Sequence, residues 1–336
     1  MFLRQLFDAD TWTYTYLVGD ESSKRALLID PVRDQVDRDL KLIDELGFEL
    51  VYALDTHVHA DHVTGAGLLR ERTGCKTVAG KLGPESADMR LGDGDRLELG
   101  KLVVEVIETP GHTDDSVTYR VGDNVFTGDA LFVRGTGRTD FQNGNPEQLF
   151  ESLTGKLFTL DDDVVVWPGH DYKGHTRSTI GEEKRLNPRA AGKSKAQFVE
   201  IMNALNLPEP KFIHQAVPAN RELGLGEGPD ESRGGFAEID GVAASQLPAG
   251  VRVIDVREPH EFEGELGHIP RAENIPMGQF PDAAQGWDRK QPVLMVCRSG
   301  RRSRGVCEQL AAAGFQNVTN LRGGMIDYRE RGRGEG

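Results

Sequence analysis

The sequence predicts an α/β protein in two modules, and three features of the chain carry that expectation. Short runs rich in Val, Ile and Leu alternate with amphipathic helical stretches along its length. Between Ala219 and Phe236 the run ANRELGLGEGPDESRGGF holds Gly and charge without an apolar period, which predicts a linker. Charge divides at the same place: residues 237–336 carry 13 Lys+Arg against 14 Asp+Glu, and residues 1–236 carry 27 against 40. Modules are therefore expected over 1–218 and 237–336, joined by 219–236.

Taken in order, TYTYLVGD and KRALLIDP alternate like a strand pair, LKLIDELG spaces its apolar residues like a helix, and FELVYALDTH reads as a strand entering the motif THVHADH. LVVEVIETPGH, NVFTGDALF and DDVVVWPGH repeat one form: a β-branched run, then a Gly-containing turn bearing His or Asp. Downstream, VRVIDVRE and QPVLMVCRS are buried-strand runs, SRGVCEQLAAAGF is an amphipathic helix, and NVTNLRGG is a short strand entering a turn. That second pattern implies a parallel sheet.

Composition excludes several classes of function. A net charge of −14 opposes nucleic-acid and anionic-membrane partners, which need surplus Lys and Arg. No apolar run approaches the roughly 18 residues of a membrane span. The start, MFLRQLFDAD, lacks the apolar core of an export signal. Three cysteines, Cys75, Cys297 and Cys307, are too few for a disulfide framework, so a reducing, cytoplasmic setting is expected.

Five of nine histidines fall in three short turns. His57, His59, Asp61 and His62 lie in THVHADH, where strand alternation would send the first three toward one side. His112 in TPGHTDDS, Asp129 in TGDALF and His170 in WPGHDY end the later strands, the position where open sheets place their sites. Imidazoles with carboxylates suit Zn, Fe, Mn or Ni, and no cysteine pair accompanies them. A metal site is expected, with its ion count open. His175, His214, His260 and His268 have no such setting and read as surface or core residues.

In this order HVHADH, GHT, GDA and PGHDY resemble the metal motifs of the metallo-β-lactamase superfamily, an αββα sandwich, over essentially residues 1–215. GDALFVRGTGRTDFQNGNPEQLFESL is similar to the ethylmalonic-encephalopathy-type persulfide dioxygenases, relatives of glyoxalase II. The resemblance implies two occupancies. In a hydrolase His57, His59 and His112 would hold one ion, Asp61, His62 and His170 another, with Asp129 bridging. In a persulfide dioxygenase one Fe(II) per chain would sit on His57, His112 and Asp129, leaving positions open for persulfide and O2. His59, Asp61, His62 and His170 would then orient ligands and water. A glutathione-type substrate needs positive charge, for which Arg134, Arg138, Lys173, Lys184 and Arg185 are candidates. Arg138, in GRTDF, is the leading one, and Tyr172 is placed to hydrogen-bond substrate.

VLMVCRSGRRSRGVCEQL puts Cys297 at a strand end, before a loop and a helix, among Arg298, Arg301, Arg302 and Arg304. That setting predicts a reactive thiol with a depressed pKa, whereas Cys75 and Cys307 read as structural. The loop Cys297, Arg298, Ser299, Gly300, Arg301, Arg302, with IDVREPHEFEGELGHIPRAENIP before it and NLRGGM after it, resembles a single-domain rhodanese-like α/β domain over about 237–330. The resemblance implies a persulfide on Cys297. Related phosphatases have their arginine at the position of Ser303, so the shorter loop favours sulfur transfer. Asp255, Arg257 and Glu258 are expected to organise the fold around it.

The whole chain resembles persulfide dioxygenase–rhodanese fusions. Expected partners are glutathione, glutathione persulfide, thiosulfate, sulfite and O2; transfer direction and homo-oligomerisation stay open. Two alternatives stand beside this reading: a dinuclear zinc thioesterase of glyoxalase II type with an attached sulfurtransferase, and a non-enzymatic sulfur carrier or sensor.

Overall fold

The computed structural model describes residues 1–205, 207, 213–225, 236–245, 247–248 and 250–331. They form two compact units, Met1–Gly228 and Pro229–Gly336. In the first, strands Phe2–Asp8, Thr13–Asp20, Arg25–Ile29, Glu49–Leu54, Lys76–Gly80 and Met89–Leu91 lie side by side in chain order. The first three pair antiparallel and the rest parallel. A second sheet of Arg96–Leu99, Leu102–Glu108, Val117–Val121, Asn124–Gly128, Val165–Pro168 and Ser178–Thr179 also runs in chain order. Only Asn124–Gly128 and Val165–Pro168 pair parallel there.

The two sheets face each other across one apolar core, with Tyr16, Val18, Leu27, Ile29 and Leu54 meeting Leu99, Val104, Val106, Tyr119 and Phe126. Helices Val36–Glu45 and Ala66–Thr73 cover the outer face of the first sheet through Val36, Ile43, Ala66 and Leu69. Pro146–Gly155 and Lys195–Asn203 cover the second through Leu149, Leu153, Phe198 and Met202. This is the αββα sandwich. Thr13–Asp20 is buried along its whole length, because one face meets the core and the other the helix layer.

In the second unit five strands pair in parallel: Phe236–Ile239, Val318–Leu321, Val293–Val296, Arg252–Asp255 and Glu273–Asn274, in that spatial order. Both faces are buried, as a parallel sheet requires. Arg257 and Asp255 are almost fully buried, with Nε donating to Oδ1 at 2.9 Å and Nη2 to Oδ2 at 2.7 Å. Arg257 also donates to the carbonyls of Glu261 and Gly267. Asp255→Ala strands a buried guanidinium and is expected to cost about 3–5 kcal/mol in denaturant unfolding.

Two expectations need correction. The strand before THVHADH ends at Leu54, so the metal motif is irregular loop and strand alternation does not orient it. The linker does not begin at Ala219: helix Ile213–Arg221 runs through that position, and residues through Leu225 pack on the first unit. Residues 226–235 of the expected linker lie outside the described residues, as does the side chain of His214.

Candidate metal centre and sulfur-transfer loop

The metal motif is positioned by groups far from it in sequence. Asp30, at the end of Arg25–Ile29, accepts from Thr56 N (2.7 Å) and Thr56 Oγ1 (2.9 Å), and lies 3.1 Å from His59 Nε2. The Thr56 hydroxyl donates to Asp30, so its lone pair receives His57 Nδ1–H at 3.0 Å. One carboxylate thus orients both rings, leaving His57 Nε2 as a bare lone pair. Burial opposes a charge on His59, but Asp30, Asp55 and Asp61 raise it to about 10, so its Nδ1 would give up a proton on binding an ion. His112 Nδ1 donates to the carbonyl of Arg138 at 2.6 Å, which turns His112 Nε2 toward Asp129 Oδ2, 3.5 Å away. His170 Nδ1 donates to Trp12 O at 3.0 Å, and its Nε2 stands 3.5 Å from both Asp61 Oδ2 and Asp129 Oδ1.

Among the described residues the donors converge into three sets, one of them Asp30, Asp55 and His59. Donor atoms of His57, His112 and Asp129 lie within 4.8 Å of one another, and so do those of His59, Asp61 and His62. Asp61 Oδ2 is 3.0 Å from both His62 Nδ1 and the Thr13 hydroxyl. His59 Nδ1, His62 Nε2 and Asp129 Oδ1 are buried without a hydrogen-bond partner. Buried ring nitrogens and a carboxylate oxygen of this kind, clustered without protein partners, suit a cation. Burial and the neighbouring His59 and His112 hold His57 well below the usual imidazole range, which keeps it neutral and ready to ligate. Burial opposes ionisation of Asp61, but His62 and His170 pull it well below the carboxylate range. Gly169 permits this closeness: a Cβ there would stand 2.6 Å from Asp129 Oδ1.

Asn220 has the glycine-rich surroundings of a linker, yet it clamps the motif from 158 residues away. Its Nδ2 donates to His59 O (2.9 Å) and His62 O (2.8 Å), and its Oδ1 accepts from Thr64 N (2.8 Å). Asn220→Ala leaves these buried backbone groups unpaired. It should weaken metal retention about 10–100-fold in chelator competition.

The residues expected to bind substrate are less uniform. Arg138 donates to Asp140 at 2.6 and 2.7 Å and lies over the ring of Phe141, so its charge is locally committed; its backbone carbonyl is what serves the site. Arg134 pairs with Glu182 and Glu183, and Lys184 with Asp162. Tyr172 is exposed and stacks on His170 at 5.9 Å, beside Trp12. Lys173 is exposed next to it.

In the second unit Cys297 follows strand Val293–Val296 and is buried. Arg298, Ser299 and Arg301 are exposed on the loop, and helix Arg301–Ala312 begins inside it. Gly300 takes φ 85°, and a Cβ there would stand 2.8 Å from Leu321 O. Arg302 makes a bidentate pair with Glu261 at 2.7 and 2.6 Å, and Arg304 lies 3.8 Å from Glu238. The Arg302 hydrogen bonds hold Glu261 at about 2, against an ordinary 4.5. A lowered carboxylate pKa contributes stability above the unfolded value and loses it as pH falls through the folded one. Thermal unfolding should therefore separate Glu261→Gln from the parent at pH 6 and cease to do so near pH 2. Burial raises both the Cys75 and Cys307 thiols, consistent with structural roles.

Residues 13–89 and 82–170 match the metallo-beta-lactamase superfamily, and residues 242–331 match the rhodanese-like domain. The fold and clustered His and Asp donors thus define a metal-binding superfamily protein with a rhodanese-like domain behind it. "Persulfide dioxygenase ETHE1, mitochondrial" of Bos taurus is 48% identical over 228 residues, covering 67% of this chain and 89% of that protein. The protein of the same name from Homo sapiens is also 48% identical over 228 residues, with the same coverage. Among solved structures, ETHE1 from Myxococcus xanthus shares 58% identity and a TM-score of 0.66, covering 67% of this chain and 100% of that one. A Staphylococcus aureus metallo-beta-lactamase, 22% identical with a TM-score of 0.67, covers 96% of this chain and 98% of its own, a likeness of fold. The chain belongs to the ETHE1-type persulfide dioxygenase family and carries a C-terminal rhodanese-like domain. Among the described residues no helix is long and apolar enough to cross a membrane.

Proposed function

We propose that this chain is a bifunctional sulfur-metabolising enzyme. Its first unit oxidises glutathione persulfide to glutathione and sulfite with one Fe(II) held by His57, His112 and Asp129. Its second moves sulfane sulfur between thiosulfate and glutathione through Cys297. The observation that carries the first half is the convergence of two imidazoles and one carboxylate within 4.8 Å, on a chain of the persulfide dioxygenase family. Two His and one carboxylate are the donor set of non-heme iron oxygenases. When bound, iron would supply the electrons for O2 chemistry and a Lewis-acid centre that gathers both reactants.

The chain's own residues supply the rest. Asp30, through Thr56, keeps the proton of His57 on Nδ1, and Arg138 O does the same for His112. Asp61, hydrogen-bonded to His62, and His170, 3.5 Å from Asp61, form a polar wall beside the centre, able to orient substrate and water. Tyr172 and Lys173, exposed at its rim, are candidates to meet the anionic thiol carrier. Balanced, persulfide, O2 and water give thiol, sulfite and two protons. In the second unit the loop Cys297 to Arg302 holds the transferable sulfur, and thiosulfate is the donor that leaves sulfite behind.

Metal analysis of anaerobically purified protein, paired with oxygen uptake on adding glutathione persulfide, tests the reading. About one iron per chain with uptake supports it. Two zinc ions, no uptake and hydrolysis of S-lactoylglutathione would replace it with a dinuclear hydrolase, in which His59, Asp61, His62 and His170 bind metal directly.

A further inference from the structure

A hydroxyl lies buried against the Cys297 sulfur, and the sulfur-transfer reading has not used it. Ser303, on helix Arg301–Ala312, is fully buried, with Oγ 3.3 Å from Cys297 Sγ, 3.0 Å from Gly300 O and 2.7 Å from Asn320 Oδ1. Asn320 is buried too, and its Nδ2 donates to Glu238 Oε1 at 2.7 Å. That donation fixes the amide, so Oδ1 faces Ser303 and can only accept. The surroundings are apolar: Met295, Val306, Cys307 and Val318 pack here with Cys297. Placing a Ser and an Asn in such a core is unfavourable unless every polar atom is satisfied. The chain of hydrogen bonds achieves this, and its free end is the sulfur.

We propose that Ser303 is a catalytic residue of the sulfur-transfer loop, whose hydroxyl donates to the Cys297 thiolate and turns to Asn320 when the sulfur is uncharged. This rests on the sulfurtransferase reading above. In loading, the Cys297 thiolate bonds to the outer sulfur of thiosulfate, the S–S bond of thiosulfate breaks, and sulfite leaves with the electron pair. In transfer, an acceptor thiolate bonds to that outer sulfur. The Cys297 S–S bond breaks and its electron pair returns to Sγ. Negative charge therefore sits on Sγ at the start of the first step and the end of the second. A hydrogen bond to a charged acceptor outweighs one to a neutral amide, so the hydroxyl follows the charge. No proton moves. The other groups that bear on Sγ are Arg302 and the Cys307 thiol on the same helix. Glu238 lies beyond Asn320, and Asp255, paired with Arg257, ends the adjacent strand and acts on Arg302.

The test uses the full chain with Ser303→Ala and Ser303→Thr, both checked for folding by thermal unfolding. One measurement is the pH profile of pre-steady-state sulfite release from thiosulfate. The other is the pH profile of iodoacetamide alkylation at Cys297, read by peptide mass spectrometry, which needs no sulfur donor. Ser303→Ala should move both midpoints up by about one pH unit and slow sulfite release about tenfold below the midpoint, and Ser303→Thr should restore both. Superimposable alkylation profiles for the three proteins would overturn the assignment. A shifted alkylation profile from a parent that releases no sulfite would uphold Ser303 and refute the thiosulfate reading instead. Should Ser303→Ala not fold, the isosteric Ser303→Cys, a weaker donor, carries the same expectation in the sulfite profile and the same refuting result.

Discussion

Asp129→Ala should abolish oxygen uptake with glutathione persulfide, by about a thousandfold or more, and leave the purified protein with little iron. Asp129 is the only carboxylate in the donor set with His57 and His112. Its Oδ1 is buried without a partner and its Oδ2 faces His112 Nε2. Removing it leaves two neutral imidazoles, which offset none of a divalent ion's charge. Asp61, which like Asp129 stands 3.5 Å from His170 Nε2, is a poor substitute, because it is already engaged by Thr13 and His62. The same variant should keep its thiosulfate:glutathione transfer, which depends on residues of the other unit. A variant that retained iron and uptake would move the centre to the His59, Asp61 and His62 set.

Asp129, His57 and His112 were legible in the sequence because each lies in a short turn directly after a β-branched run, a pattern that local spacing reveals. What holds them was not. Asp30 and Asn220 act across 26 and 158 residues, a distance no periodicity records. Asn220 also sits before a glycine-rich run that hides the helix carrying it. Arg138 shows the opposite case: a cation near an anionic substrate's expected place stands out in one dimension, but its pairing with Asp140 two residues away is visible only in three. Strand and helix order gave an α/β chain, and the αββα layering came with the resemblance carried by HVHADH, GHT, GDA and PGHDY. The loop character of THVHADH was not legible, since alternating polar residues look alike in a strand and in a ligand-bearing loop. In the second unit the strand, loop and helix around Cys297 were plain. Ser303 was visible only as the residue that is not arginine, because a buried hydroxyl in a helix has the same spacing as any core position.

Cys297→Ser is expected to reduce thiosulfate:glutathione sulfur transfer about ten-thousandfold while oxygen uptake on glutathione persulfide stays intact. A hydroxyl at this place has the size of the thiol but neither its acidity nor the capacity to hold a sulfane sulfur through an S–S bond. Neither of the other cysteines can take over. Cys307 is fully buried in the helix with its thiol raised by burial, and Cys75 belongs to the first unit's core. Single-turnover mixing of the parent protein with thiosulfate should release about one sulfite per chain before any thiol is added, and mass spectrometry should find 32 Da added to the Cys297 peptide. Neither signal should survive in Cys297→Ser. Adding thiosulfate and glutathione together to the parent should draw down oxygen, because the second unit then makes the persulfide that the first consumes. The variant should respond only to preformed glutathione persulfide. That contrast separates a chain whose two activities share an intermediate from one in which they merely share a polypeptide: uptake from thiosulfate and glutathione that persisted without Cys297 would mean the sulfur reaches the metal centre by a route this cysteine does not serve.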